Sequence, residues 1–148
     1  MRYAYLVNHF LENSAARLPD KVALICGDQR LTYRQINDAA DRLAVSLIDM
    51  GIQRQDRVVI FLDNSPESVI SLFGILKAGA IFIMLNPTMK AKKLNYILND
   101  AGARALITHT KKSRVVTEGI SGAPELQHII WTGGTSNFPF NHSTNLQS

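Results

Sequence analysis

The chain has 148 residues, of which 46% are apolar and 19% are charged, and its formal net charge is +4. These values are ordinary for a globular protein with one sizeable core. Cys26 is the single cysteine, which excludes an intrachain disulfide and fits a reducing compartment.

Positive charge is concentrated between Thr88 and Thr117, where one acid, Asp100, accompanies seven basic residues: Lys90, Lys92, Lys93, Arg104, Lys111, Lys112 and Arg114. We interpret them as a solvated face, or as a surface that meets another part of a longer chain. A site that attracts phosphates is the alternative. No nucleic-acid reader motif is present, so we expect no nucleic-acid partner.

The sequence predicts neither a signal peptide nor a transmembrane segment. Polar residues interrupt the first 19 positions, so the pattern does not indicate a signal peptide. The apolar stretch Val69–Leu85 falls short of the roughly 20 residues that span a bilayer, and Lys77 lies inside it. We therefore expect a cytoplasmic protein without a transmembrane segment.

The first predicted elements are a helix and a hairpin. Apolar spacing predicts an amphipathic helix over Tyr3–Arg17, which Pro19 terminates. A strand over Val22–Cys26, a turn over Gly27–Arg30 and a short strand over Leu31–Tyr33 follow. The second helix is expected to begin at a capping box formed by Thr32 and Gln35.

An apolar stripe at helical spacing and a glycine stop define that second helix. Gly51 supplies the left-handed residue past its end. The stripe that should face the core consists of Ile36, Ala39, Ala40, Leu43, Ala44, Leu47 and Ile48.

The stretch Arg57–Pro87 predicts strand, helix and strand. The strands are Val58–Leu62 and Ile81–Leu85, and Ser65-Pro66-Glu67 opens a largely buried helix between them. Such a unit is right-handed with parallel strands in nearly all cases. Both strands are apolar without alternation, which is typical of strands covered on both faces. The small residues Gly74, Ala78 and Gly79 should let neighbouring elements approach closely.

The alternation continues after Pro87. A helix capped by Thr88 and stopped by Gly102, a strand over Ala105–Thr108, a short helix over Lys112–Glu118 and a strand over Gln127–Trp131 are predicted. Residues 132–148 are polar and turn-rich, which predicts a loop or linker. The whole pattern predicts a layered α/β fold, a mostly parallel sheet flanked by helices, over residues 1–131.

No residue is assigned a catalytic, cofactor-binding or metal-binding role from these patterns. Asp63 and Asn64 follow a strand, where they are candidates for lining a crevice. The amides of Ser65–Ser68 could bind an anion, but Pro66 removes one donor and Glu67 repels a guest, so helix capping is favoured. The histidines are scattered without metal-ligand spacing, and we expect surface or capping roles for them: His9, His109, His128 and His142.

Several short segments occur here in a family-specific order. They are Pro19–Leu24, Leu31-Thr32-Tyr33, Gly51 with Asp56-Arg57-Val58, Asn64-Ser65, Leu76–Ala80 and Leu85-Asn86-Pro87. From about Leu6 to Trp131 the chain resembles the N-terminal portion of the large domain of adenylate-forming (AMP-binding) enzymes. This superfamily contains AMP-forming acyl-CoA synthetases, firefly luciferase and peptide-synthetase adenylation domains. Three positions depart from its pattern: Gln55 replaces a usual Gly, Met84 a frequent Pro, and Lys90–Lys93 frequent acids.

The resemblance implies an AMP-forming acyl-CoA ligase as the parent protein. A carboxylic or fatty acid attacks the α-phosphorus of ATP, pyrophosphate leaves, and the acyl group passes to a thiol, usually that of CoA. The parent would use ATP, Mg²⁺ and CoA. The family's phosphate loop carries a Lys, which Thr132–Ser136 lacks. We therefore expect this stretch alone to bind none of these groups and to be inactive, with residues 132–148 leading toward a missing ATP-binding region.

Two alternatives stay open. The parent could be a peptide-synthetase adenylation domain, or the chain could be a free-standing flavodoxin-like binding module without chemistry. For a fragment of a larger sheet we also expect an exposed apolar edge, which either pairs with another chain as a homo-oligomer or limits solubility.

Overall fold

The computed structural model describes residues 4–134 and, for the backbone alone, residues 140–145. A two-stranded hairpin lies beside a five-stranded sheet with helices on both faces, which confirms the predicted α/β class. In chain order the elements are α1 (Val7–Arg17), β1 (Val22–Cys26), β2 (Gln29–Thr32), α2 (Tyr33–Asp49), β3 (Arg57–Phe61), α3 (Pro66–Lys77), β4 (Ile81–Met84), α4 (Ala91–Asp100), β5 (Ala105–His109), a 3₁₀ turn (Thr110–Lys112), α5 (Ser113–Gly119), β6 (His128–Thr132) and β7 (Phe140–Asn145).

The large sheet has the strand order β4-β3-β5-β6-β7. The first four strands are parallel, and β7 pairs antiparallel with β6. Counted from β3, this order is the 2-1-3-4-5 of flavodoxin-like sheets, with the last strand reversed. The chain therefore places β4 on one side of β3 and then adds β5, β6 and β7 on the other side.

The two faces of the sheet bury separate cores, because successive side chains of a strand point to opposite faces. On β3, Val58 and Ile60 pack into the core that contains α1, α2 and α3. Val59 and Phe61 pack into the core that contains α4 and α5. All four side chains are almost fully buried, as the unbroken apolar run predicts for a central strand.

The capping box of α2 is confirmed. Thr32 Oγ1 accepts a hydrogen bond from the Gln35 amide at 3.2 Å, and the Thr32 amide donates to Gln35 Oε1 at 2.9 Å. Gly51 has a φ of +92°, which explains the predicted stop. The predicted apolar stripe is too wide by one residue, since Ile48 is 54% exposed. Ile48 lies about 100° further round the helix than the buried Leu47.

Helices α2 and α3 approach each other closely at a glycine. A Cβ atom on Gly74 would lie 2.7 Å from Leu43 Cδ2, so this position has no room for a side chain. Lys77, at the end of α3, also joins the helices: its Nζ lies 2.7 Å from Asp41 of α2 and 3.2 Å from Glu12 of α1. The predicted role of Gly74 as a close-approach residue thus agrees with the structure.

Arg57 caps the carboxyl end of α4. Its Nε donates to the Ala101 carbonyl at 2.7 Å, and its Nη2 donates to the Gly102 carbonyl at 3.0 Å. A cation at a helix carboxyl end satisfies orphan carbonyls and interacts favourably with the helix dipole. The Asp56-Arg57 pair of the family pattern therefore has a structural role, since Asp56 also accepts from the Gln53 amide at 2.8 Å.

The prediction that both strands of the central unit are covered on both faces is wrong for β4. This strand forms the edge of the sheet, and Ile81 and Met84 are 47% and 50% exposed. Helix α3 is likewise less buried than predicted, because Val69 and Phe73 are half-buried. The apolar run predicts a strand here, but it does not show whether that strand lies at the centre or at the edge of the sheet.

Several boundaries differ from the predictions, mostly by one residue, and β2 begins at Gln29, inside the predicted turn. Helix α1 begins at Val7, and α4 begins at Ala91 with Lys90 as its N-cap. Thr88 does not cap α4, because its amide and hydroxyl both donate to Asn86 Oδ1 in a preceding turn. Residues 140–145 form β7, where the sequence predicts a loop or linker. A strand held at a sheet edge by backbone hydrogen bonds needs no apolar periodicity, which explains the difference.

Candidate functional site

The carboxyl ends of the four parallel strands meet at one edge of the sheet, and the loops after them form the candidate site. Ligands of open α/β sheets bind at this edge, in the crevice where the strand order reverses. Here the order reverses between β3 and β5, because β4 lies on one side of β3 and β5 on the other. Asp63-Asn64 after β3 and His109-Thr110 after β5 therefore flank the crevice.

Lys112 joins three of these loops. Its Nζ donates to Asp63 Oδ1 at 2.9 Å and to the Pro87 carbonyl at 2.8 Å, and it lies 4.9 Å from the centroid of the Phe61 ring. The Lys112 side chain is only 14% exposed. Its ammonium group thus holds the loops after β3 and β4 against the turn after β5.

Asp63 lies at the predicted edge of the sheet, but it does not point into a closed crevice. Its side chain is 70% exposed and pairs with Lys112. The hydrogen bond and the charge of Lys112 hold the pKa of the Asp63 carboxyl below its ordinary value. The sequence pattern predicted the position of Asp63 at the sheet edge. It did not predict the contact with Lys112, because the two residues are 49 positions apart.

Asn64 and Ser65 lie beside the hairpin. Asn64 is exposed and lines an apolar groove with Ile25 and Met84. Ser65 Oγ accepts from the Ser68 amide at 3.3 Å, and Ser68 Oγ donates to the Ser65 carbonyl at 2.7 Å. The Ser68 amide is thus already engaged, and the predicted capping role of Ser65 is confirmed.

A second cleft opens at the same edge on the α2–α3 side of the sheet. Its volume is about 430 Å³, and its lining includes Gln29, Gln35, Glu67, Gly133 and Gly134. It combines amide, carboxylate, guanidinium (Arg42) and backbone groups with apolar side chains of α2 and α3. This mixture can take a polar ligand.

Gly133, the residue after β6, lies close to the side chain of His109. Its φ is +93°, and an added Cβ atom would lie 2.5 Å from His109 Cε1 and Nε2, so only glycine fits. The Thr132–Ser136 stretch, which lacks the lysine of a phosphate loop, is described as far as Gly134. Thr135 and Ser136 lie outside the described residues, so the rejection of this loop stays a prediction.

The three histidines whose side chains the structure describes divide between capping and burial, and the side chain of His142 lies outside the described residues. His9 Nδ1 accepts from the Tyr5 amide at 3.3 Å, and His109 Nδ1 accepts from the Lys111 amide at 3.0 Å, as expected of capping residues. His128 differs from the expectation: it is 9% exposed, and its Nδ1 is buried without a hydrogen-bond partner. Across residues 4–134, no three His, Cys, Asp or Glu side chains come together as metal ligands.

Six of the seven basic residues of the 88–117 stretch separate into two groups, and the seventh, Lys111, is exposed. Three have carboxylate partners: Arg104 with Glu125 and Asp56, Lys112 with Asp63, and Arg114 with Glu118. Lys90, Lys92 and Lys93 instead line an open cavity of about 530 Å³ at the start of α4.

No helix among the described residues has the length and hydropathy of a membrane span.

Comparison with known proteins gives a consistent result. A family model described as AMP-binding enzyme matches residues 11–145. A ligase of Mycobacterium tuberculosis (strain ATCC 25618 / H37Rv), named medium/long-chain-fatty-acid–CoA/3-oxocholest-4-en-26-oate–CoA ligase, is 35% identical over 130 residues, which are 88% of this chain and 24% of the ligase. A plipastatin synthase polypeptide of Bacillus subtilis (strain 168) is 38% identical over 97 residues, which are 66% of this chain and 4% of the synthase.

Solved structures agree with these relatives. The anthranilate CoA ligase AuaEII, in complex with anthranoyl-AMP, superposes with a TM-score of 0.85 at 30% identity, over 93% of this chain and 26% of that one. The N-terminal domain of FACL13 from Mycobacterium tuberculosis superposes with a TM-score of 0.78 at 28% identity, over 84% of this chain and 33% of that one. The chain thus spans about a quarter of the length of the mycobacterial ligase, 24%.

Proposed function

The chain belongs to the AMP-binding enzyme family, and we propose that it supplies the amino-terminal part of the large domain of an AMP-forming acyl-CoA ligase. The observation that carries this proposal is the family match over residues 11–145, which includes the hairpin and every strand of the sheet. Similarity to CoA ligases over 88% and 93% of the chain supports CoA as the acceptor. The substrate of the parent is a carboxylic acid, and a fatty acid is the class that the mycobacterial relative suggests.

We assign this stretch a scaffold role in that reaction. Among residues 4–134 no three His, Cys, Asp or Glu side chains come together as metal ligands, and the Thr132–Gly134 stretch contains no lysine. These observations support binding of Mg²⁺ and of the ATP triphosphate by other parts of the parent protein. No reaction step is therefore assigned to its side chains, and the 148 residues alone are expected to be inactive.

A peptide-synthetase adenylation domain is the second candidate for the parent. The similarity to the plipastatin synthase polypeptide, at 38% identity, favours it. The two candidates differ in the thiol that accepts the acyl group, which is CoA in a ligase and a carrier-protein thiol in a synthetase.

A free-standing binding module is the third candidate. The flavodoxin-like strand order favours it, because this order places a crevice between β3 and β5 without any further domain. A cytoplasmic location and a boundary between residues 131 and 132 stay predictions under all three candidates.

The coding sequence after the Ser148 codon and the activity of the encoded protein test the proposal together. We expect a downstream Ser/Thr/Gly-rich loop with a lysine, and formation of acyl-CoA from ATP, CoA and a member of a panel of carboxylic acids. Transfer to a carrier-protein thiol without transfer to CoA would favour the synthetase. A stop codon directly after Ser148 in the natural gene would contradict the ligase and favour the module.

A further inference from the structure

Three exposed lysines lie together at the start of α4 without a carboxylate partner. Lys90 is the N-cap of α4, and Lys92 and Lys93 lie in its first turn, where the helix contains no acid. Within residues 4–134, no carboxylate lies within ion-pair distance of their ammonium groups.

These charges are unfavourable to the chain itself. Cations near a helix N-terminus oppose the helix dipole, at a cost of about 0.3–1 kcal/mol each when exposed. Lys90 also provides no side-chain hydrogen bond as an N-cap. Since nothing within the described chain offsets this cost, the three charges fit an intermolecular role better than a structural one.

The cavity at the start of α4 is lined by two large apolar side chains as well as by the lysines. Met89 and Tyr96 line it, and Tyr96 exposes 65% of its surface. Asn86 is held in a turn by the Thr88 amide at 2.9 Å, so the loop beside the cavity is braced. Protein interfaces combine apolar and aromatic contact residues with exposed charged ones, and tyrosine is enriched among the residues that carry their binding energy.

The arrangement suits a protein partner better than a small phosphate. A phosphate site needs donors that converge on one point, whereas these lysines are exposed on long stems around an open cavity about 530 Å³ in volume. Exposed rim charges instead steer an oppositely charged partner and fix its register.

We propose that the Met89–Tyr96 groove docks an acidic protein segment, which inserts an apolar side chain between Met89 and Tyr96 and places carboxylates against Lys90, Lys92 and Lys93. A short amphipathic helix with acids on both sides of an apolar anchor has this chemistry. The inference does not depend on the ligase reaction, and it replaces the interpretation of these lysines as a merely solvated face.

Selection from an unbiased random-peptide library, displayed against this chain at low salt, tests the proposal. We expect the enriched peptides to be acidic and to carry an apolar or aromatic residue. Their affinity should fall about tenfold for the triple variant Lys90→Glu, Lys92→Glu, Lys93→Glu, and also for Tyr96→Ser, which changes no charge.

The matched control is the triple reversal Arg17→Glu, Lys21→Glu, Arg30→Glu, which makes the same change in net charge at exposed positions away from α4. It should leave the affinity within about twofold, and circular dichroism verifies that each variant folds. Neutral or basic enriched peptides, or equal binding to both triple variants, would overturn the proposal. Perturbation of α4 amide resonances by inorganic pyrophosphate but by no enriched peptide would overturn it in favour of a small-anion site.

Discussion

Gln55 has a φ of 69°, and among the described residues it is the one position other than glycine with a positive φ. The left-handed conformation costs an L-residue about 1–2 kcal/mol. Its amide donates to the Gly79 carbonyl at 2.9 Å, which fixes the loop before β3. The family pattern usually has glycine here, so the departure noted in the sequence coincides with the strained position.

Gln55→Gly should stabilise the protein by about 1 kcal/mol, since glycine removes the strain but loses chain entropy on folding. The backbone hydrogen bond to Gly79 does not involve the side chain and should persist. The midpoint of urea unfolding measures the effect. Gln53→Gly, at an exposed loop position without positive φ, is the control and should be neutral or destabilising; equal shifts for both variants would contradict the account.

Lys112 has the clearest role at the candidate site. Lys112→Met removes the hydrogen bonds to Asp63 and Pro87, and we expect the free energy of unfolding to fall by about 1 kcal/mol. The pKa of Asp63, which Lys112 lowers, should rise toward its ordinary value in an NMR titration. Lys111→Met removes the same charge from the neighbouring exposed residue, whose contribution to the lowered pKa of Asp63 is smaller, so it should raise that pKa by less and leave the free energy of unfolding unchanged. An unchanged Asp63 pKa in Lys112→Met would refute the contact.

The side chain of Lys77 in α3 connects this helix to α1 and α2 through two ion pairs. The side chain of Lys77 is 8% exposed and contacts Glu12 and Asp41. Burial of Glu12 opposes its ionisation, but the hydrogen bonds from Asn8 and Lys77 and the charge of Lys77 together outweigh it and lower the pKa of Glu12 below 4.5. A lowered folded-state pKa means that Glu12 stabilises the fold above the unfolded-state pKa and loses this contribution as the pH falls through the folded-state pKa.

Lys77→Met should therefore lower the free energy of unfolding by about 2 kcal/mol at neutral pH, because two carboxylates lose a nearly buried partner. It should also flatten the decline of stability below about pH 4.5. Urea unfolding over an acid pH series measures both effects, with the exposed Lys21→Met as control. Parallel pH profiles for the variant and the original chain would show that Lys77 does not set the pKa of Glu12.

Strand β4 is an unprotected sheet edge. The amide of Ile81 donates to the Asp56 carbonyl just before β3, and the amide of Leu85 donates to the Ile60 carbonyl of β3. By alternation, the amides of Phe82 and Met84 point away from the sheet. The strand contains no charge or proline, the residues that commonly protect edges. Exposure of Ile81 and Met84 agrees with the predicted apolar edge, while self-association through it stays a prediction.

Met84→Pro should reduce concentration-dependent association in sedimentation experiments without unfolding the sheet, because the lost amide makes no bond to β3. Ile83→Pro, whose amide points toward β3, should instead destabilise the sheet. A chain that remains monomeric at every concentration would contradict association through β4, and so would a Met84→Pro variant that associates as before.

At the scale of the molecule, local signals predicted most elements. The Thr32 and Ser65 caps, the Gly51 stop and the apolar run of β3 each depend on a few neighbouring residues. Contacts between distant residues were not predictable: Lys112 with Asp63, Arg57 with the end of α4, and the edge position of β4. The 140–145 strand was missed because backbone pairing to β6, rather than an apolar pattern, defines it.

Three conspicuous residues of the family pattern have structural roles in this part of the chain. Arg57 caps α4, Ser65 caps α3, and Lys77 ties three helices. None of them is left free to act on a substrate. These roles support our proposal that residues 1–148 supply scaffold to an adenylate-forming enzyme and that its catalytic groups lie elsewhere in the parent protein.

Exchange of labelled pyrophosphate into ATP by the purified chain tests this claim most directly, because exchange reports formation of an acyl-adenylate before any transfer to a thiol. With Mg²⁺ and a panel of aromatic, medium-chain and long-chain carboxylic acids, we expect no exchange above the buffer control. Acid-dependent exchange by the 148-residue chain would contradict the account and would place catalytic groups within it.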